Sequence, residues 1–168
     1  MKLNGHGITL DDVDLQIIDI LANDSSTAFV EIAKQIGISD ATVHLRVRRL
    51  IDEGIIRRFT LSLNNDLLGY DHLVFAGINI RSGFADQVTE ELSNIEEIIE
   101  IHEMHNRFDL FLKIRAKDLN DTRDIVENKI RKLPHILETE LMTILKTSKE
   151  EQMVSLTKNI EKSKYNSS

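Results

Sequence analysis

The sequence predicts an α+β chain made of two unlike parts. Three observations carry that prediction. From Leu10 to Gly54, apolar residues recur at helical spacing and glycines interrupt them. From Leu73 to Thr147, short alternating runs are interleaved with two more helical stretches. Between the two lies 64–72, which carries Asn, Asp and Gly and reads as a linker. The expected organisation is a helical domain over 1–63, the linker, a sheet domain over 73–147 and a polar tail over 148–168.

Leu10 to Ala22 reads as the first helix. Thr9 with Asp12 would form its capping box, and Asp11 and Asp12 suit the positive end of the helix dipole. Val13, Ile17, Ile20 and Leu21 would be its buried stripe. Asn23 to Thr27 is a polar loop, and Thr27 or Ser26 is expected to cap the next helix.

Phe29 to Gly54 reads as two helices joined by a tight turn. Ile32, Ala33 and Ile36 share one face of the first, and Gly37 stops it, since glycine adopts the left-handed C′ conformation at little cost. Ser39 is the N-cap candidate of the second. Val43, Val47 and Leu50 would be its buried face. Asp40, Thr42, Leu45, Arg46 and Arg49 would then form the opposite side, flanked by His44 and Arg48. Two helices, a glycine turn and basic side chains on an outer face fit a helix-turn-helix whose second helix enters the major groove of DNA. Ile55 to Leu63 is rich in β-formers and reads as a short strand or wing, with Arg57 and Arg58 placed to reach phosphates.

In the second part, Leu73 to Arg81, Ile98 to His105, Phe108 to Ala116 and Thr139 to Thr147 read as strands. Phe84, Val88, Leu92 and Ile95 mark one helix. Leu119, Thr122, Val126, Ile130 and Leu133 mark another, ended by Pro134. The order β-α-β-β-α-β is a split βαβ, or ferredoxin-like, plan. Phe108, Leu110, Leu112 and Ile114 are expected to point one way, and Asp109, Phe111, Lys113 and Arg115 the other. Both helices would cover one sheet face, leaving Leu73, Phe75 and Phe111 on the other. An apolar face of that kind invites a second copy of the chain. Met153, Leu156 and Ile160 hint at one amphipathic helix in the tail, against which a frayed segment is the equal alternative.

Composition narrows the function. With 41% hydrophobic and 29% charged residues, the chain can build a core. The absence of Cys excludes disulfides, thiol catalysis and Cys-ligated zinc. Met1 to Thr9 lack the apolar centre of a signal peptide and no apolar run matches a membrane span, so the expectation is a soluble cytoplasmic protein. The net charge of −7 disfavours indiscriminate coating of nucleic acid. Five arginines nevertheless fall between Arg46 and Arg58, while acidic residues gather at Asp11 to Asp24 and Glu90 to Glu103. His102-Glu103-Met104-His105 lacks the spacing of a zinc motif, and neither a metal nor a cofactor is expected. The sequence contains no nucleophile elbow and no phosphate-binding glycine loop.

LDDVDLQIIDIL, then EIAKQIGISDATVHLRVRRLIDEGII, then the βαββαβ part with HNRFDLFLKI between its middle strands, resembles the Lrp/AsnC family of transcription regulators. The resemblance runs from about Leu10 to about Thr147. It implies a winged helix-turn-helix joined to a ligand-sensing ferredoxin-like (RAM-type) domain, with dimers, often octamers, and effectors that are usually amino acids. By match to the motif, Ser39, Thr42, Arg46 and Arg49 fall where the family meets DNA, and His44 and Leu45 where related sequences vary. The family has Gly, then two residues later an aromatic and Asp, in the turn between the middle strands. Here the run is Asn106-Arg107-Phe108-Asp109, the expected effector region, with Asn106 at positive φ and Asp109 receiving an effector's ammonium. Two alternatives share the architecture: an enzyme like the sirohaem decarboxylases, which look like Lrp/AsnC proteins, and an architectural DNA-binding protein with little sequence preference.

Overall fold

The computed structural model describes residues 3–5, 8–151 and 153–157. The chain forms two compact units. One comprises Met1–Ser62 with Lys149–Ser168, and the other Leu63–Ser148. No helix among the described residues is long and apolar enough to cross a membrane.

The helical unit opens with a two-stranded antiparallel hairpin, β1 (Leu3–Gly5) and β2 (Ile8–Leu10), which the sequence reading did not anticipate. Three helices follow: α1 (Asp12–Asn23), α2 (Phe29–Ile36) and α3 (Asp40–Asp52). Thr9 lies in β2, so the expected Thr9–Asp12 capping box does not form. Asp11 caps α1 instead, in a reciprocal box with Asp14. Ala28 precedes α2 with extended backbone and no side-chain cap, so neither Ser26 nor Thr27 takes that role. Ser26 turns back to Asp24, with its N and Oγ 2.9 and 2.6 Å from Oδ1. Ile17, Ile18, Leu21, Ile32, Ala33, Val43, Val47 and Leu50 form the buried core of this unit. Val13 and Ile20, expected in the stripe of α1, pack at its margin, while Leu15 is fully buried.

Residues 57–64 form no strand. The N–H groups of Ile55 and Ile56 both turn back to the Leu50 carbonyl, 2.9 and 3.0 Å away, and close the end of α3. Beyond them, no strand among the described residues pairs with this stretch, and a lone strand leaves its backbone groups unpaired. Residues 153–157 are not helical, and Ile160 of the expected tail helix lies outside the described residues.

The sheet unit contains β3 (His72–Ile80), α4 (Ala85–Ser93), β4 (Ile98–Glu103), β5 (Leu110–Ala116), α5 (Leu119–Asp124, continuing as a π-helical stretch Ile125–Ile130) and β6 (Ile136–Thr143). The strands lie in the order β4-β5-β3-β6, all antiparallel, as the βαββαβ plan requires. Val74, Ala76, Ile78, Leu110, Leu112 and Ile114 meet Val88 and Leu92 of α4 and Ile125, Val126 and Ile130 after α5 in one core. The buried positions 122, 126 and 130 recur every four residues. That exceeds the 3.6-residue repeat, and the wider π turn keeps all of them on the sheet.

Phe108 departs from its expected side. Gly77 lies between Ala76 and Ile78, which face the helices, so a side chain at 77 would project from the opposite face. A Cβ built there would sit 2.4 Å from the Phe108 ring. Phe108 therefore folds over Gly77 on the face away from the helices, where the rings of Phe75 and Phe111 also stack with centroids 5.3 Å apart. Gly77→Ala is expected to destabilise the protein by about 1–3 kcal/mol in chemical denaturation, through overpacking. In a Phe108→Ala background the added methyl meets open space, and that penalty should vanish.

Candidate nucleic-acid interface

The turn between α2 and α3 is built by local chemistry. Gly37 adopts φ 80°, and the N–H groups of Gly37 and Ile38 both donate to the Ala33 carbonyl, at 2.9 and 3.0 Å. Ser39 then caps α3, its Oγ accepting the Thr42 N–H at 3.1 Å. The Ser39 and Thr42 hydroxyls are also bonded to each other at 2.7 Å. Gly54, at φ 73°, follows the far end of α3 as Gly37 follows α2.

Burying Val43, Val47 and Leu50 leaves a strip of α3 open to solvent: Asp40, Ala41, His44, Leu45 and Arg48. Leu45 is 71% exposed, far more than an apolar side chain in a helix needs to be. His44 reaches Asp40 one turn back at 3.7 Å, and its ring meets Phe29 edge-on with centroids 4.7 Å apart. Arg48, Arg57 and Arg58 are exposed and form no ion pair among the described residues. Beside the strip lies an apolar cleft of about 340 Å³ lined by Phe29, Leu45, Ile51 and Phe59, among others.

Arg46 and Arg49 do not lie on the outer side where helical spacing alone placed them. Both reach across to the amino-terminal end of α1. An Arg46 Nη1 donates to Asp11 Oδ2 and, at 2.9 Å, to Asp14 Oδ1, while Arg49 Nη2 donates to Asp14 Oδ2 at 2.6 Å. Asp14 Oδ2 also accepts the Asp11 N–H at 3.0 Å. The Asp14 side chain is 1% exposed, so these bonds replace its lost water. The Arg46 hydrogen bond holds the Asp11 carboxyl at a pKa of about 2, against the opposing effect of its partial burial. The same bonds, to Asp11 first and then Asp14, push the Arg46 guanidinium up. The sequence reading missed this clamp. Its signal was an Asp11/Asp14 pair at i, i+3 in one helix and an Arg46/Arg49 pair at i, i+3 in another.

The expected effector region in the sheet unit is also rearranged. Asn106 does not adopt positive φ. Among the described residues, His135 is the only non-glycine that does. Arg107 is exposed and pairs with Glu140 of β6. Phe108 covers Gly77. Asp109 Oδ2 accepts the Ile80 N–H at 2.8 Å where β3 shifts register against β6, and its own N–H donates to Ile78 at 3.0 Å. One Asp109 oxygen is thus occupied in joining two strands.

Comparisons with known proteins bear on the family and the fold of both units. A family model described as winged helix-turn-helix DNA-binding matches residues 10–57, and the Lrp/AsnC ligand binding domain matches residues 73–154. The chain is 34% identical over 146 residues to the HTH-type transcriptional regulator FL11 of Pyrococcus horikoshii, covering 85% of this chain and 94% of FL11. The protein belongs to the Lrp/AsnC family. This Lrp/AsnC chain is also 31% identical over 144 residues to the proline dehydrogenase transcriptional activator of Rhizobium radiobacter, with 84% and 92% covered. Among solved structures, AsnC of E. coli matches with a TM-score of 0.81 at 27% identity, over 86% of this chain and 97% of AsnC. The Lrp/AsnC protein is a transcriptional regulator that pairs a DNA-binding helical unit with a ligand-binding sheet unit.

Asp14→Asn should lower stability by about 2–3 kcal/mol in urea denaturation, because neutral Asn cannot answer two guanidinium groups from a buried position. The pH dependence of Asp11 has a definite sign. Its folded pKa of about 2 lies below the ordinary 3.8, so its stabilising contribution is fully present above about 3.8 and lost as pH falls through about 2. The stability difference between the native chain and Asp11→Asn should therefore shrink across that window in parallel urea titrations.

Proposed function

We propose that this regulator reads double-stranded DNA in a sequence-specific manner through the open strip of α3. His44, Leu45 and Arg48 meet base edges in this reading. Asp40 and Ala41 line the entry of the helix, and Asp40 repels acceptor-rich edges. Ser39 and Thr42, at the positive end of α3, together with Arg57 and Arg58, meet phosphates. Arg46 and Arg49 first hold α3 against α1. Arg49, 41% exposed, retains surface for a phosphate, while Arg46, at 27%, has less. The observation that carries the reading is the exposure of a Leu45 and an Arg48 one turn apart in the middle of the second helix of a helix-turn-helix.

In this reading the protein works in the cytoplasm as a homodimer; the dimer is supported by the sheet face away from the helices, where the half-buried Phe75 and Phe111 rings are available to a second copy. Two recognition helices would then reach successive major grooves. Octamers are the larger assembly in this reading. The ligand of the sheet unit is a small molecule of the amino-acid class, bound near Asn106, Arg107 and Asp109, and no chemical reaction is assigned to the site. The matched ligand-binding domain supports a ligand in this unit, and the amino-acid class is supported by a structural neighbour from Neisseria meningitidis that was solved as a complex with L-Met.

Fluorescence anisotropy with an operator selected from random duplexes tests the DNA reading. Arg48→Ala should weaken binding about tenfold or more, since a good bidentate base contact is worth ~1–3 kcal/mol. Leu45→Ala should alter base preference at one position and leave the salt slope unchanged, whereas Arg57→Ala with Arg58→Ala should flatten that slope. Unchanged affinity in Arg48→Ala would remove α3's open strip as the reading surface.

A further inference from the structure

Asp19 lies in the middle of α1, next to the core residues Ile17, Ile18 and Leu21, and is only 7% exposed. A carboxylate there needs donors, and among the described residues its side chain accepts hydrogen bonds from three consecutive residues far along the chain. The Leu156 N–H donates to Oδ1 at 2.8 Å. The Thr157 N–H and the Ser155 hydroxyl each donate to Oδ2 at 2.8 Å, and the Thr157 hydroxyl joins them there. Leu156 itself packs against the core of the helical unit. Burial works to raise the Asp19 pKa, but the bonds from Thr157, Leu156 and Ser155 outweigh it, and the group is held below its ordinary value. The carboxylate is thus an anion gripped by two successive backbone N–H groups and two hydroxyls.

The matched ligand-binding domain ends at residue 154, so the gripping triplet lies just past it. The triplet belongs to the helical unit, although the whole sheet unit, Leu63–Ser148, separates it from Ser62 in sequence.

We propose that Asp19 and the apolar surface around it on α1 form a binding site for the chain's own Ser155-Leu156-Thr157 segment. Leu156 of the segment packs, partly buried, against the core of the helical unit, to which the segment belongs. The sheet unit is consequently joined to the DNA-binding unit by a covalent crossing at each of its ends. The docked helix is also the one whose Asp14 holds Arg46 and Arg49, so the tail bears on the element that positions α3. The chemistry that would undo the site is negative charge at position 155 or 157, which would oppose Asp19 directly.

Hydrogen exchange followed by mass spectrometry on the full chain tests this without DNA. Thr157→Asp should lower protection of α1 peptides around Ile17–Leu21 and of 153–157 together, on the order of tenfold, and leave β3 and β5 unchanged. Leu156→Ser should act in the same direction. Adding Asp19→Asn to Thr157→Asp should restore part of the lost protection, because the repulsion is gone; a mere loss of folding would not be rescued. Protection of α1 that is indifferent to both tail substitutions would overturn the proposal, as would a double variant no better protected than Thr157→Asp alone. Unchanged operator affinity in Arg48→Ala would count against the reading of α3 and leave this exchange test unaffected.

Discussion

A carboxylate almost wholly removed from water governs how the recognition helix is presented. Two guanidinium groups and a backbone N–H take the place of water around the buried Asp14 carboxylate. Those guanidinium groups are one turn apart on α3, so satisfying Asp14 also sets the rotation of α3 about its own axis. With Arg46 and Arg49 turned toward α1, the side of α3 left to solvent is the Asp40–Ala41–His44–Leu45–Arg48 strip. One electrostatic requirement inside the helical unit thus decides which side chains a duplex can meet.

The same helix is held a second time. Its Asp19 meets the Ser155–Thr157 segment, so α1 has a charged anchor near its start and another in its middle. Apolar burial alone would tolerate small rotations of α1, since it has no direction. Charge-assisted hydrogen bonds are directional and do not. In the sheet unit the comparable constraint is steric: Gly77 leaves the space that Phe108 fills, and Asp109 then ties β5's approach to the end of β3.

Much of the fold was legible because its causes are local. The alternation of β3 and β5, the i, i+4, i+7 stripe of α3, the glycine stop at Gly37 and the Ser39 cap each depend on residues a few positions apart. The misses share the opposite property. Thr9 could not be excluded as a cap without knowing that β1 pairs with β2 and absorbs it into a hairpin. The stretch after α3 has the composition of a strand, but no strand among the described residues pairs with it. Phe108 alternates correctly with Leu110 and still turns to the other face, because a vacancy over Gly77 is visible only once β3 and β5 are side by side.

The sequence by itself determined the two-part plan, the helix-turn-helix and the family. These follow from periodicity, from capping chemistry and from a motif of contiguous residues. Only the tertiary structure decided which arginines of α3 remain open and which serve α1, and where the tail goes. Asp14 lies 32 residues from Arg46, and Asp19 lies 138 residues from Thr157. Pairings at such separations leave no trace in helical spacing, because the free energy that selects them comes from burying a charge after the chain has folded back on itself.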